Sequence, residues 1–374
     1  MNFTCKKQHL QDALSLAIRA VSSRTTMPIL ECVLLTASSD NGLTLSASNL
    51  ELSIDTEPIE ATVTTAGSIA VDAKLFSDIV RKMPGDSVTI DVDEKGSVQV
   101  KSGRSKLMVN GQHGDEFPVT NPNDIVLVNE GIAIKNKDLK DMINQTIFSV
   151  STDTSRPILT GELIEVKDDT MCMVAIDMSR ISYRSVKLSK SFEGCKVVVP
   201  AKALSELSRM LSANEEEDVL IQLTEKRVIF TTELFKLTSN LLEGEFIRYD
   251  QIFNEDFSTV VEINRLDLLN AFERAILVAT EGKTLPINLE ITEDDLTVKA
   301  RSERGETEEG VPCSTEGKDL NISFNPMYFI QCLRAVEEEN VILRFNTQLS
   351  PCTIKGSGDN SADYKYLIVP LRPQ

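Results

Sequence analysis

Pro28-Ile29-Leu30, Pro157-Ile158-Leu159 and Pro286-Ile287-Asn288 stand 129 and 129 residues apart (157 − 28 and 286 − 157). Each follows a stretch of helical period, 7–21, 137–148 and 265–279. Within those stretches Leu10, Leu139 and Leu268 fall in register, as do Leu14, Ile143 and Phe272. A second unit recurs as a short β-branched run leading into an amphipathic helix, at 69–83, 196–211 and 322–336. Aligned, Arg81, Arg209 and Arg334 coincide, and Lys74 coincides with Lys202, with Met327 as the third member. The period far exceeds the roughly 20–50 residues of a solenoid repeat, so the copies are whole domains. They divide the chain into 1–125, 126–253 and 254–374, with joints where Pro, Asn and acidic residues cluster.

Between the two helices of each copy, and after the second, lie short alternating segments punctuated by turn residues. Asp40-Asn41-Gly42 and Asp93-Glu94-Lys95-Gly96 supply the positive φ of tight hairpins, and Asp168-Asp169 and Glu293-Asp294-Asp295 read as turns. Hairpin-length connections imply antiparallel sheets, and two helices per copy are too few for a doubly wound parallel fold. The fold class is α+β: three repeated domains, each with two helices and antiparallel sheets.

Net charge is −18, which by itself argues against a nucleic-acid partner. Distribution matters more than the sum. The helical stretches 7–21, 73–83, 137–148, 201–211, 265–279 and 325–336 carry +1, +2, 0, +1, 0 and +1, a total of +5, which leaves −23 on the rest. A basic position repeated in register points all copies the same way. Lys74, Arg81, Lys137, Lys202, Arg209 and Arg334 are the candidate phosphate-facing side chains. Such a surface holds a polyanion without reading its sequence. With no Trp and five Tyr, a stacking platform for single strands is poorly supported.

Signals for chemistry are sparse. Seven cysteines form no Cys-x-x-Cys pair, and the two histidines, His9 and His113, are not at metal-ligand spacing. No phosphate-binding or nucleophile-elbow motif occurs, and Asp91–Gly96 reads as a hairpin turn because Ser102 stands where a calcium loop needs an acid. No metal or cofactor is expected. No apolar run approaches the roughly 20 residues of a membrane span, and Met1–Lys7 lacks a signal-type apolar segment, so a cytoplasmic protein is expected. Three readings stay open on residues alone: a binding ring on a polyanion, a hydrolase using acidic loops, and an acidic scaffold.

The threefold repeat, the segment Ser22–Leu30, Ser102-Gly103-Arg104-Ser105, Val198-Val199-Pro200 before a basic helix, and the terminal Tyr366–Arg372 together resemble the bacterial DNA polymerase III beta subunit family, the sliding clamps. The resemblance spans the whole chain. It implies a non-catalytic, head-to-tail homodimer closing a ring around double-stranded DNA, tethering the replicative polymerase and opened by an ATP-driven clamp loader. It implies a peptide groove containing Leu159, Ile176, Met178, Arg180, Ile181, Ile247, Ile252, Leu367, Val369, Pro370, Leu371 and Arg372. Met178 stands where the family has Gly, Ile247 where it has Pro and Gln251 where it has Arg, and Pro373-Gln374 extend the tail, so a narrower, more apolar groove is expected. For DNA, Arg24 and Lys202 match family contacts, whereas the loop 153–158 lacks the family's Gln and Tyr. For the dimer, an edge strand with Leu107 and Val109 is expected to pair near Ile276 and Leu277, and Lys74 and Lys106 to face the acidic run 303–309, including Glu303 and Glu306.

Overall fold

The computed structural model describes residues 1–22, 25–118, 126–212, 217–253, 257–281, 283–284, 286–358 and 363–372, with side chains of 280–285 left aside. Arg24, the tail Pro373-Gln374, the expected joint at 121–125 and residues 254–256 of the expected joint at 254–257 therefore lie outside the described residues. All six expected helices are present: α1 (Lys7–Ala17), α2 (Ala73–Lys82), α3 (Asn136–Thr146), α4 (Ala201–Met210), α5 (Arg265–Ala279) and α6 (Pro326–Ala335). Local chemistry fixes their starts. The Asp72 carboxylate accepts from Leu75 N at 2.7 Å, and Asn325 Oδ1 accepts from Met327 N at 3.0 Å ahead of Pro326 in the first turn. Arg81, Lys82, Arg209 and Arg334 occupy last turns, where the helix dipole favours cations.

The chain forms two compact units: Met1–Lys137 with Arg209–Leu241, and Asp138–Ser208 with Leu242–Gln374. Each is built on one sheet. In the first, thirteen described strands run from Ile132–Lys135 through Asp218–Leu223, Arg227–Thr231 and Phe235–Asn240 to Leu52–Thr56. They continue through Gly42–Ser48, Cys32–Ser38, Gly67–Asp72, Ser105–His113, Ser97–Ser102, Ser87–Val92 and Asn2–Lys6, and end at Ala61–Thr65. The second unit's ten-stranded sheet begins with the long hairpin Gly161–Ile176 and Arg180–Pro200. Tyr364–Ile368, Cys352–Gly356, Asn340–Phe345, Thr259–Asn264, Gly305–Gly317, Asp295–Ser302, Ile287–Ile291 and Leu320–Phe324 follow. The strand pairings are antiparallel throughout, as hairpin-length turns require.

Sheet continuity explains why three sequence repeats become two units. Leu52–Thr56 pairs with Phe235–Asn240, joining the first repeat to the second, and Arg180–Arg184 pairs with Tyr364–Ile368, joining the second to the third. The middle repeat is thus shared. Asp168-Asp169 is not a turn but a bulge inside Gly161–Ile176, where the register shifts and Asp168 takes φ 55°. The hairpin turns instead at Asp177–Ser179, where Asp177 Oδ1 accepts from Ser179 N and Arg180 N at 2.7 and 3.0 Å.

Each unit buries the faces that the periodicity marks. In α1 these are Leu10, Ala13, Leu14 and Ala17, and in α2 they are Ala73, Phe76, Ile79 and Val80. In the second unit, Phe272 of α5 stacks on Phe329 of α6 with ring centres 4.7 Å apart, and Phe324 meets Phe329 edge-on at 5.1 Å. The seven cysteines are free thiols, and burial raises those of Cys5 and Cys332 to about 12.

Candidate functional site

The candidate groove lies within the second unit. The hairpin strands put Ile176 and Ile181 opposite each other, and Ile181 also pairs with Leu367. With Leu159 from the 3-10 turn Pro157–Thr160, these side chains share one buried cluster with Leu163, Cys172, Val174, Val198, Phe246 and Tyr249. Leu159, Ile176, Ile181 and Leu367 are only 2–4% exposed, so they form a floor already packed by the protein itself. Ile252 packs on its margin.

The rim differs. Met178 is 67% exposed, Ile247 38%, and Val369 and Leu371 40% each, a run of apolar side chains in water beside an apolar floor. Backbone bonds hold this rim. Val369 N donates to Ser179 O and Leu371 N to Ser323 O, both at 2.8 Å, so the 369–371 segment is pinned at two points with Pro370 between them. Arg372 is exposed beyond them. Arg156 Nη1 donates to Met178 Sδ at 3.0 Å, setting that side chain over the turn.

Arg180 does not face the groove as a free cation. It is buried, its Nε donates to Asp177 Oδ2 at 2.9 Å and its Nη1 to Gln331 Oε1. Its guanidinium lies 4.4 Å from the Tyr328 ring centre and 5.9 Å from that of Phe148. It is a post between the strand Arg180–Pro200 and α6.

Sequence reasoning missed the aromatic back wall. Tyr183 lies 6.0 Å from Tyr249 and 6.1 Å from Phe253, centre to centre. Tyr249 Oη donates to Glu165 Oε2 at 2.5 Å and lies 3.3 Å from Cys172 Sγ, while burial pushes the Cys172 thiol to about 11. A signal for part of this wall was present. Phe246 stands 129 residues after Phe117 (246 − 117), which is itself packed in the first unit's small cluster with Ile29 and Leu30.

The basic helix residues are exposed: Lys74, Arg81, Lys137, Lys202, Arg209 and Arg334 all reach solvent. Arg81 and Arg334 each have an acid within reach. Arg81 Nη2 is 2.5 Å from Asp78 Oδ1, and Arg334 Nη2 is 2.7 Å from Glu273 Oε1 on α5. Exposed pairs of this kind contribute little to stability.

Two strands share an unusual arrangement. Among the described residues, 105–110 of Ser105–His113 pair only with Ser97–Ser102, and 111–113 alone pair on the other side with 69–71. In Gly305–Gly317, residues 305–312 pair only with Asp295–Ser302, and 313–317 alone pair with Thr259–Ile263. Each strand therefore offers one open edge of backbone donors and acceptors. Leu107 and Met108 are exposed on the first edge, with Val109 half-buried and Lys106 in solvent. The expected counterpart near Ile276 and Leu277 is not a strand there. Both residues sit on α5, whose helical period the packing against 295–317 preserves, and the open edge is Gly305–Pro312 beside it. Leu277 is exposed and Ile276 partly packed. Of the acidic run, Glu308 binds Lys299 at 3.3 Å and Glu309 binds Arg274 at 2.8 Å. Glu306, Glu308 and Glu309 lie on the strand Gly305–Gly317, and Glu303 and Glu306 are exposed.

Among the described residues, no group of three or more His, Cys, Asp or Glu could hold a metal ion, and no helix is long and apolar enough to cross a membrane. Three family models match in order: DNA polymerase III beta subunit N-terminal domain over 1–121, central domain over 133–247 and C-terminal domain over 250–372. The beta sliding clamp of Bacillus subtilis (strain 168) is 33% identical over 383 residues, covering 100% of both chains. That of Staphylococcus epidermidis is 32% identical over 381 residues, covering 100% of this chain and 99% of the other. The crystal structure of the Bacillus subtilis DNA polymerase sliding clamp superposes with TM-score 0.95 at 32% identity over 100% of both chains. A putative DNA polymerase III beta subunit from Eubacterium rectale does so with TM-score 0.93 at 36% identity over 99% of both. Matched along its full length in sequence and in fold, the chain belongs to the DNA polymerase III beta subunit family, the beta sliding clamps.

Proposed function

We propose that this chain works as a DNA sliding clamp. Two copies join head to tail into a ring around duplex DNA, and the ring tethers the replicative polymerase with no chemistry and no cofactor of its own. Its three domains are 1–125, 126–253 and 254–374. The observation that carries the reading is the pair of open strand edges, 105–110 and 305–312, one in the first sequence repeat and one in the third. A strand edge on one copy pairs with the other edge on the next, so the contact is heterologous and a ring results where the rotation closes. Leu107, Met108 and Leu277 supply its apolar part. Lys74 and Lys106 opposite Glu303 and Glu306 fix register more than affinity. The protein then runs at about twice its 41.4 kDa mass in sedimentation. Leu107→Asp combined with Leu277→Asp, both at exposed sites, shifts it to the monomer. A dimer unchanged by both substitutions would place the interface elsewhere.

The electrostatics suit sliding. An acidic body with basic helix residues attracts phosphates weakly and without base readout, so the ring moves along the duplex. Lys74, Arg81, Lys137, Lys202, Arg209 and Arg334 are the side chains assigned to such contacts, and all are exposed. Arg24 is assigned to DNA by family position alone.

The groove takes clamp-binding segments of the polymerase, the clamp loader and other partners. An apolar peptide side chain settles on the floor made by Leu159, Ile176, Ile181 and Leu367, and is clasped by Ile247, Ile252, Val369, Pro370 and Leu371. Met178, held by Arg156, narrows the mouth. Val369→Asp with Leu371→Asp is expected to weaken a clamp-motif peptide by about 100-fold while leaving unfolding unchanged, because both side chains are exposed and the backbone pins remain. Isothermal titration checks the first half and urea unfolding the second.

A further inference from the structure

The first unit carries an apolar cavity of about 470 Å³ that the clamp function does not use. Its floor is Ala13 and Leu16 of α1 together with Pro58, Ile59 and Leu234. Its walls are fixed before any ligand arrives. Ile59 exchanges both backbone bonds with Leu43, at 2.8 and 3.1 Å. Glu57 N donates to Leu234 O at 2.9 Å, and Thr232 Oγ1 accepts from Leu234 N and Phe235 N at 3.2 and 3.1 Å. Leu234 is thus an ordered leucine left 59% exposed. A rigid apolar pocket of this size lies within the range of ligand sites, and preorganised walls lower the entropy lost on binding.

The rim sets the charge of what can enter. Asp12, Glu57, Glu60 and Glu233 line the cavity, and among the described residues no Lys or Arg does. The Asp12 carboxylate accepts from the neutral Gln8 amide at 2.8 Å. Glu57, Glu60 and Glu233 pair with no cation among the described residues, unlike Asp78, Glu273 and Glu309, which each hold an arginine. Four carboxylates around an apolar floor repel nucleic acid and attract a cation that brings apolar surface with it.

We propose that this cavity is a second docking site, taking a peptide segment of a partner protein in which Lys or Arg alternates with Leu or a similar side chain. The leucines fill the floor and the basic groups meet the rim carboxylates. The site is separate from the groove around Leu159 and Leu367, so one copy holds an apolar motif and a basic one at once.

The protein has two histidines, which provide a built-in test. His9 lines the cavity, and His113 ends the strand Ser105–His113. The intact protein is titrated with the acetylated, amidated pentapeptide Lys-Leu-Arg-Leu-Lys while both imidazole proton signals are followed by NMR. The His9 signal is expected to shift and saturate with the His113 signal unmoved. Glu57→Gln, Glu60→Gln and Glu233→Gln together are expected to weaken binding by about tenfold, as the loss of three exposed ion pairs implies. Leu234→Ser is expected to weaken it as well. A His9 signal unmoved at about 1 mM peptide, equal binding of an analogue with Glu in place of Lys and Arg, equal binding of free arginine, or an unchanged affinity in the triple variant would each overturn the proposal.

Discussion

Arg180→Ala is expected to destabilise the second unit by about 3–5 kcal/mol, the usual cost of removing one partner of a buried charge pair. The arginine is 8% exposed. Its removal leaves Asp177, whose side chain is 17% exposed, without its cation, and leaves Gln331 Oε1 without its donor. It also empties the space between the Tyr328 and Phe148 rings. Arg180→Lys keeps the charge but loses the planar fork and the stacking, so an intermediate loss is expected. Urea unfolding reads both. Were Arg180 a groove ligand, as family position alone implies, Ala would lower peptide affinity and leave the unfolding midpoint in place.

Glu162→Gln is expected to abolish most of the pH dependence of the same unit between pH 5 and 8. Glu162 is fully buried on the strand Gly161–Ile176, and burial pushes its carboxyl from 4.5 up to about 8, partly opposed by Thr146. The geometry agrees. Thr146 Oγ1 lies 2.7 Å from Met142 O and 2.9 Å from Glu162 Oε2, and a hydroxyl has one proton for the two. A protonated carboxyl donates to the Thr146 oxygen and leaves the hydroxyl proton for the Met142 carbonyl. An ionised one strands a charge, with Glu162 Oε1 already lacking a partner among the described residues. The folded state therefore holds a proton that the unfolded state releases above pH 4.5. Stability falls as pH rises from 4.5 toward 8 and is level above it. A rise from 4.5 to about 8 corresponds to a loss on the order of 5 kcal/mol. The amide variant, neutral throughout, is expected to exceed the parent at pH 9 by a comparable amount and to match it near pH 4. Urea midpoints at the two pH values decide it; equal midpoints for parent and variant at pH 9 would mean that Glu162 ionises freely in the fold.

How far the fold was legible depends on whether a feature is local. The helices were, because Leu10, Leu14, Phe76 and Leu268 mark buried faces by spacing alone, and all are buried. The strand Ala61–Thr65 was not. It is a sheet edge with no fully buried side chain, so it has no apolar alternation to read. Nor was the merging of three repeats into two sheets, which depends on pairs such as Ile54 with Leu237, 183 positions apart (237 − 54). In the groove, family position placed the floor residues together, but not the depth at which they lie. Arg180 reads as a groove residue by family position alone. Only the neighbours that fold onto it, Gln331 and Tyr328, make it internal. Asp168-Asp169 has the composition of a turn, yet the hairpin continues past it because the flanking residues still find partners across the ladder.

The proposed ring holds DNA by enclosing it rather than by gripping it. The most direct measurement loads the protein onto nicked circular plasmid with its cognate ATP-driven loader. The complex is divided, one half is linearised with a single-cutting nuclease, and both are passed through gel filtration at moderate salt. Enclosure predicts that the protein stays with the circle and is lost from the linear half. Equal retention on both would contradict it, since only a tight, sequence-independent grip on phosphate survives a free DNA end.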